Sequence, residues 1–264
     1  MPRFYFPAYD YYLIFIRTRW GISGGAAWPG GALVMIPLML TVPPVLGFEP
    51  LNMKAVSGLS MLQVFFSSLS GLIIHRKNNY VHGKLLLLIG VPLSLFAFLG
   101  AYATRYVNDM ILLVLFEVLI VVALFPLIIS PKKRTEDEAR QDLHIYPARS
   151  IISGMSVGMV SGMVGAGGGF ILIPLLITFL HIPLKITIGT SLGIVFLGSI
   201  MGALGKILSL QIELTHALPL IIGSILSARL GAKTSHKLPS HVLRYILIGV
   251  VIFSGVQVLL RLTG

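Results

Sequence analysis

The stretch "VGAGGGFILIPLL" (164–176) sets Gly165, Gly167, Gly168 and Gly169 in front of an apolar run that reaches Pro174. Such a run breaks a helix, and a helix restarting near Phe170 leaves its first N–H groups without intrahelical partners, which suits an anion. "WPGGALVMIP" (28–37) repeats the device with Pro29, Gly30 and Gly31, proline favouring a helix start. Gly30, Gly31, Gly167, Gly168 and Gly169 are therefore candidate substrate contacts. Gly154, Gly158 and Gly162, spaced by four, read instead as a packing face. Hydroxyls follow each glycine tract at Ser57, Ser60, Thr187, Thr190 and Ser191, and Ser60, Thr190 and Ser191 are the ones taken as ligand candidates. Back-bonding within the helix is the competing use of these groups. Lys54 and Lys185 open the same helices, where a cation either draws an anion toward the break or snorkels to headgroups. Glu117 is an acid deep in an apolar segment, which suits a coupling or gating group, or else a protonated carboxyl bonded between helices.

Other chemistries are poorly supplied. There is no cysteine, so disulfides, thiolate metal sites and thiol nucleophiles are excluded. The histidines show no paired spacing, so no metal is expected. Gly205-Lys206-Ile207 lacks the spacing and the Ser/Thr of a P-loop, so no nucleotide or other cofactor is expected. With no HExxH and few acid–base groups, the chain does not read as an enzyme. Its net charge of +11 is gathered beside apolar runs, which indicates lipid headgroups and not nucleic acid.

The elements that position these residues are membrane spans. With 56% hydrophobic residues, 11% charged residues and a mean hydropathy of +0.92, the chain reads as an all-α polytopic membrane protein. Clean spans are expected at 55–75, 84–104, 109–130, 186–208, 213–231 and 244–262. Two further tracts, 21–47 and 151–180, are too long and too rich in glycine and proline to be ordinary spans. An unbroken helix over 151–180 would reach ~45 Å across a core of ~30 Å. The two tracts are repeat partners: Pro37 falls on Pro174 and "LVMIPLM" on "FILIPLL", and after an insertion around "TVPPVLGFEP" Lys54, Gly58 and Ser60 fall on Lys185, Gly189 and Ser191. The organisation is an N-terminal interfacial segment (1–20), a first repeat (21–130), a polar cytosolic linker (131–150) and a second repeat (151–264). Each repeat carries a glycine-broken tract followed by three transmembrane helices. Lys/Arg placement fits inverted and parallel repeats equally. Inversion is preferred because it alone brings two half-helix N-termini to one midplane site from opposite leaflets.

The block "GMVSGMVGAGGGFILIPLLITFLHIPLKITIGTSLGIVFLGSIMGAL" (158–204) resembles the TauE/SafE sulfite exporter family, also called toluene sulfonate uptake permeases. The likeness rests on Gly165, Gly167 to Gly169, Pro174, Pro183 and the "GTS" at 189–191. The first repeat matches more loosely, with Trp28 and Pro29 at expected glycines and "SGLS" in place of Gly-Thr-Ser. The resemblance implies a secondary transporter, in the export direction, of sulfite or organosulfonates across the cytoplasmic (inner) membrane. Expected partners are the small anion, membrane lipids and a coupling proton or ion; the reading also admits a homodimer. The rival readings are a non-transport membrane protein, such as an anchor subunit or intramembrane enzyme, and an ion channel.

Overall fold

A computed structural model of the chain describes residues 31–45, 51–76, 81–128, 146–180, 182, 184–212, 252, 255, 256 and 259. Among these residues all regular structure is helical. The helices are Gly31–Val45 (α1), Met53–Arg76 (α2), Gly83–Ala103 (α3), Asp109–Ile128 (α4), Pro147–Val164 (α5), Gly169–Thr178 (α6) and Leu184–Leu208 (α7). A 3-10 turn, Thr104–Tyr106, follows α3. The spans expected at 55–75, 84–104, 109–130 and 186–208 agree with α2, α3, α4 and α7 to within two residues at either end. The interfacial segment, Gly21 to Gly30, most of the linker, the span at 213–231 and nearly all of the span at 244–262 lie outside the described residues.

Local chemistry sets the helix ends. The His82 ring nitrogen accepts from the Leu85 N–H at 3.3 Å and caps α3. Asp109 opens α4, and its carboxylate accepts from the Met53 N–H at 3.0 Å, tying the starts of α2 and α4 together. Pro147 opens α5 at a position where the missing N–H costs nothing. Gly165 closes α5 in the left-handed region, with φ 80°, while the Gly165 and Ala166 N–H groups both donate to the Ser161 carbonyl.

Helix α3 is central, with α5 and α7 packed along it. A methyl placed on Gly154, Gly158 or Gly162 would meet the carbonyl of Ile89, Leu93 or Ala97 respectively, and one on Gly100 would meet the Met159 carbonyl. Both series rise together, so α5 runs parallel to α3 with the two backbones in direct contact. This is the small-residue packing that the four-residue spacing predicts. Helix α7 is also parallel to α3, Gly193 facing Leu86, Gly198 facing Leu93 and Gly205 facing Phe98 and Ala101. Helix α2 runs opposite to α7: the Phe65 and Phe196 rings stack with centroids 5.5 Å apart, Met61 lies on Gly202, and Ser57 meets Lys206.

The outward face is apolar. Leu87, Val91, Leu95 and Leu99, one per turn of α3, are all exposed, as are Ile111, Val114, Val118 and Val121 on α4. Polar side chains lie inside instead, among them Ser57, Ser60, Gln63, Thr190, Ser191 and Lys206. A surface of this kind is suited to acyl chains. Helix α3 with its 3-10 extension and residues Ile186–Leu208 of α7 are long and apolar enough to cross a bilayer.

Candidate functional site

The glycine run interrupts the helix inside the bundle. From Gly165, which lies against the Ser57 carbonyl, the chain turns back to Gly167, against Val64, and Gly168, against Val157 and Ser161. Val64 is eleven residues into α2 and Val157 ten into α5, so α6 starts ~15 Å from the helix ends, about half of the ~31 Å length of α3. Helix α6 leads to α7, where the Thr190 hydroxyl accepts from the His82 N–H at 3.0 Å, at the end of α3 beside which α5 began. The tract 147–178 thus enters and leaves at one end of α3.

Gly168, at φ 73°, is the N-cap of α6 and supplies no side-chain acceptor. Gly165 to Gly169 are all buried. A methyl on Gly168 would sit 2.9 Å from Val157 Cγ1 and 3.1 Å from Ser161 Oγ. The close approaches at the break are therefore to protein.

Of the hydroxyls, Ser60 comes to the break: its Oγ lies 2.8 Å from the Gly165 carbonyl and 3.0 Å from the Ser57 carbonyl, to either of which it donates. Ser191 donates to the Ile188 carbonyl of its own helix, and Thr187 to the Ile182 carbonyl. Thr190 is held at the far end by His82. These hydroxyls do not form one cluster. Lys54 extends to the Arg105 carbonyl at 3.4 Å, and Arg105 lies over the Tyr102 and Tyr106 rings, an aromatic and basic girdle at that end. Gly31 begins the described part of α1, Lys185 belongs to the first turn of α7, and Gly30 lies outside the described residues. Glu117 faces Gly255, where a methyl would fall 2.8 Å from its Oε1; its Oε2 is buried and has no hydrogen-bond partner among the described residues.

The most polar buried cluster surrounds a residue that the sequence reading sets aside. Lys206 is fully buried, and its ammonium donates to Ser57 Oγ at 2.7 Å and, at 3.0 Å each, to Thr104 Oγ1, the Met163 carbonyl and Gln211 Oε1. Met163 is two residues before Gly165, so the charge rests against the carbonyl end of α5, where a helix favours a cation. No local spacing announces this cluster, because its members come from α2, the end of α3, the end of α5 and the turn after α7.

The family model described as "Sulfite exporter TauE/SafE" matches residues 18–258. "Probable membrane transporter protein YunE" of Bacillus subtilis (strain 168) is 24% identical over 90% of this chain and 93% of its own length. A "Probable membrane transporter protein" of Xylella fastidiosa (strain 9a5c) is 28% identical over 91% and 90%. A relative of similar name from Methanocaldococcus jannaschii is 26% identical over 94% of both chains. No solved structure gives a significant match.

Proposed function

From the premise that this chain belongs to the TauE/SafE sulfite exporter family and is a membrane transporter, we propose that it moves small sulfur oxyanions, sulfite or organosulfonates, across the cytoplasmic membrane. The carrying observation is α6, a half-helix that starts at mid-depth inside the bundle with a glycine N-cap and no side-chain acceptor. A bilayer core tolerates such a break where it is buried in protein or lines a polar path, and the positive end of a half-helix favours an anion. Alternating access follows if the first repeat holds a second half-helix, at Gly30 and Gly31, approaching from the opposite leaflet. The doubling back of α5 and α6 supports inverted repeats, since a tract that does not cross leaves three spans in its repeat. Glu117 is the proposed coupling group, its Oε2 being buried without a partner among the described residues.

Purified protein in sealed liposomes is expected to give saturable flux of sulfite or methanesulfonate that empty liposomes lack. Absence of flux for every sulfur oxyanion, in both directions, sinks this reading. Unitary current steps would replace it with a channel.

A further inference from the structure

The ammonium of Lys206 has four oxygen neighbours and three hydrogens, and every neighbour is neutral. Among the described residues no carboxylate lies within ion-pair distance. A buried charge with no carboxylate in contact is a poor device for stability, since its desolvation is costly and neutral oxygens offset that only in part. The surplus acceptor has a second consequence: one oxygen can be exchanged for another without leaving an N–H bare.

An independent observation lies on the same cluster. Gln211 is buried, its Oε1 is 3.0 Å from Lys206 Nζ, and its Nε2 has no hydrogen-bond partner among the described residues. A buried amide N–H without an acceptor carries a desolvation penalty that a ligand oxygen would remove. Ammonium and amide are held beside one another, so a ligand with two acceptor oxygens can take one donor from each. Leu210 has φ 55°, a left-handed geometry that a leucine rarely adopts, and it is 92% exposed. Gln211 is therefore next in the chain to an exposed residue at the Arg105 end of the bundle.

We propose that Lys206 and Gln211 form an oxyanion-binding site, in which a sulfite or sulfonate oxygen displaces the Gln211 carbonyl from Lys206 Nζ while a second oxygen accepts from Gln211 Nε2. The site rests on the transport reading above and names the groups that hold the anion near the Arg105 face, with Ser57, Thr104 and the Met163 carbonyl sharing the other two N–H groups.

The deciding variant is Gln211→Glu. It keeps an acceptor against Lys206, gives the ammonium a counter-charge and removes the amide donor. The expected result is protein that melts at the same temperature or higher, while binding of sulfite and methanesulfonate, measured by calorimetry in detergent, weakens about tenfold or more. Lys206→Met is expected to lose binding too, but its neutral chain also strands the surrounding oxygens, so the glutamate variant carries the test. Wild-type affinity in Gln211→Glu overturns the site and leaves the transport reading intact. A wild type that binds the probes but moves neither removes the transport reading and keeps the site, provided the glutamate variant loses binding. A wild type that binds neither probe overturns both.

Discussion

Leu210 is the single non-glycine residue with positive φ among the described residues. It occupies the position after α7 where glycine is usual: the Leu210 N–H donates to the Ile207 carbonyl at 3.0 Å and the Gln211 N–H to the Lys206 carbonyl at 3.1 Å, the paired bonds of a Schellman ending. A side chain in this geometry costs ~1–2 kcal/mol, and its exposure recovers little of that. Leu210→Gly is therefore expected to raise stability by up to ~1 kcal/mol, once the greater freedom of the unfolded glycine is subtracted. Thermal unfolding in detergent measures it, and a clear drop would show that the leucine is held by something beyond its backbone. Residue-level legibility was uneven. Ser60 was legible because its matched position in the repeat put it on the first turns beside the break. Lys206 was not, because in sequence it enters only as the lysine of a failed P-loop, and the oxygens around it come from distant parts of the chain. Gln211 and Ile212 fold over α2 beside it, the Gln211 backbone carbonyl lying against Gly58.

At the level of elements, the glycine tracts divide by spacing. Gly154, Gly158 and Gly162 recur at helical period and seat α5 on the backbone of α3, whereas the run at 165–169 has no period and ends one helix before starting another. Both meanings were readable because each is a local pattern. Which way the chain turns after the break was not, since that depends on Val64, Val157 and Ser161 closing around Gly167 and Gly168. Gly158→Ala should place a methyl 2.9 Å from Leu93 Cα, with an overpacking cost of about 1–3 kcal/mol. Gly83→Ala, where a methyl meets nothing within 4 Å, is the control and should change stability by no more than ~0.5 kcal/mol. Equal melting temperatures for the two variants would mean that the glycine stripe does not hold α3 and α5 together.

For the whole molecule, the parallel course of α3, α5 and α7 puts Gly83 and Arg149 at one end and Asn108 at the other. If the basic segments beside Lys84 and Arg149 face the cytosol, as the positive-inside rule favours, cysteines replacing Gly83 and Arg149 are expected to react with an impermeant maleimide only in inside-out vesicles. A cysteine replacing Asn108 should react only from outside. Reaction of Gly83→Cys and Arg149→Cys from opposite sides would contradict the doubling back of the second tract. The contact between α3 and its two parallel neighbours also bears on how the protein is made. Helix α3 is translated and enters the bilayer well before α5 and α7, so its groove waits against lipid until the second repeat arrives to fill it. The second repeat in turn brings a lysine whose hydroxyl partners, Ser57 and Thr104, were laid down in the first. A gene severed at the linker would therefore encode two interdependent fragments, each inserted by the same machinery and each lacking half of its interior until it meets the other.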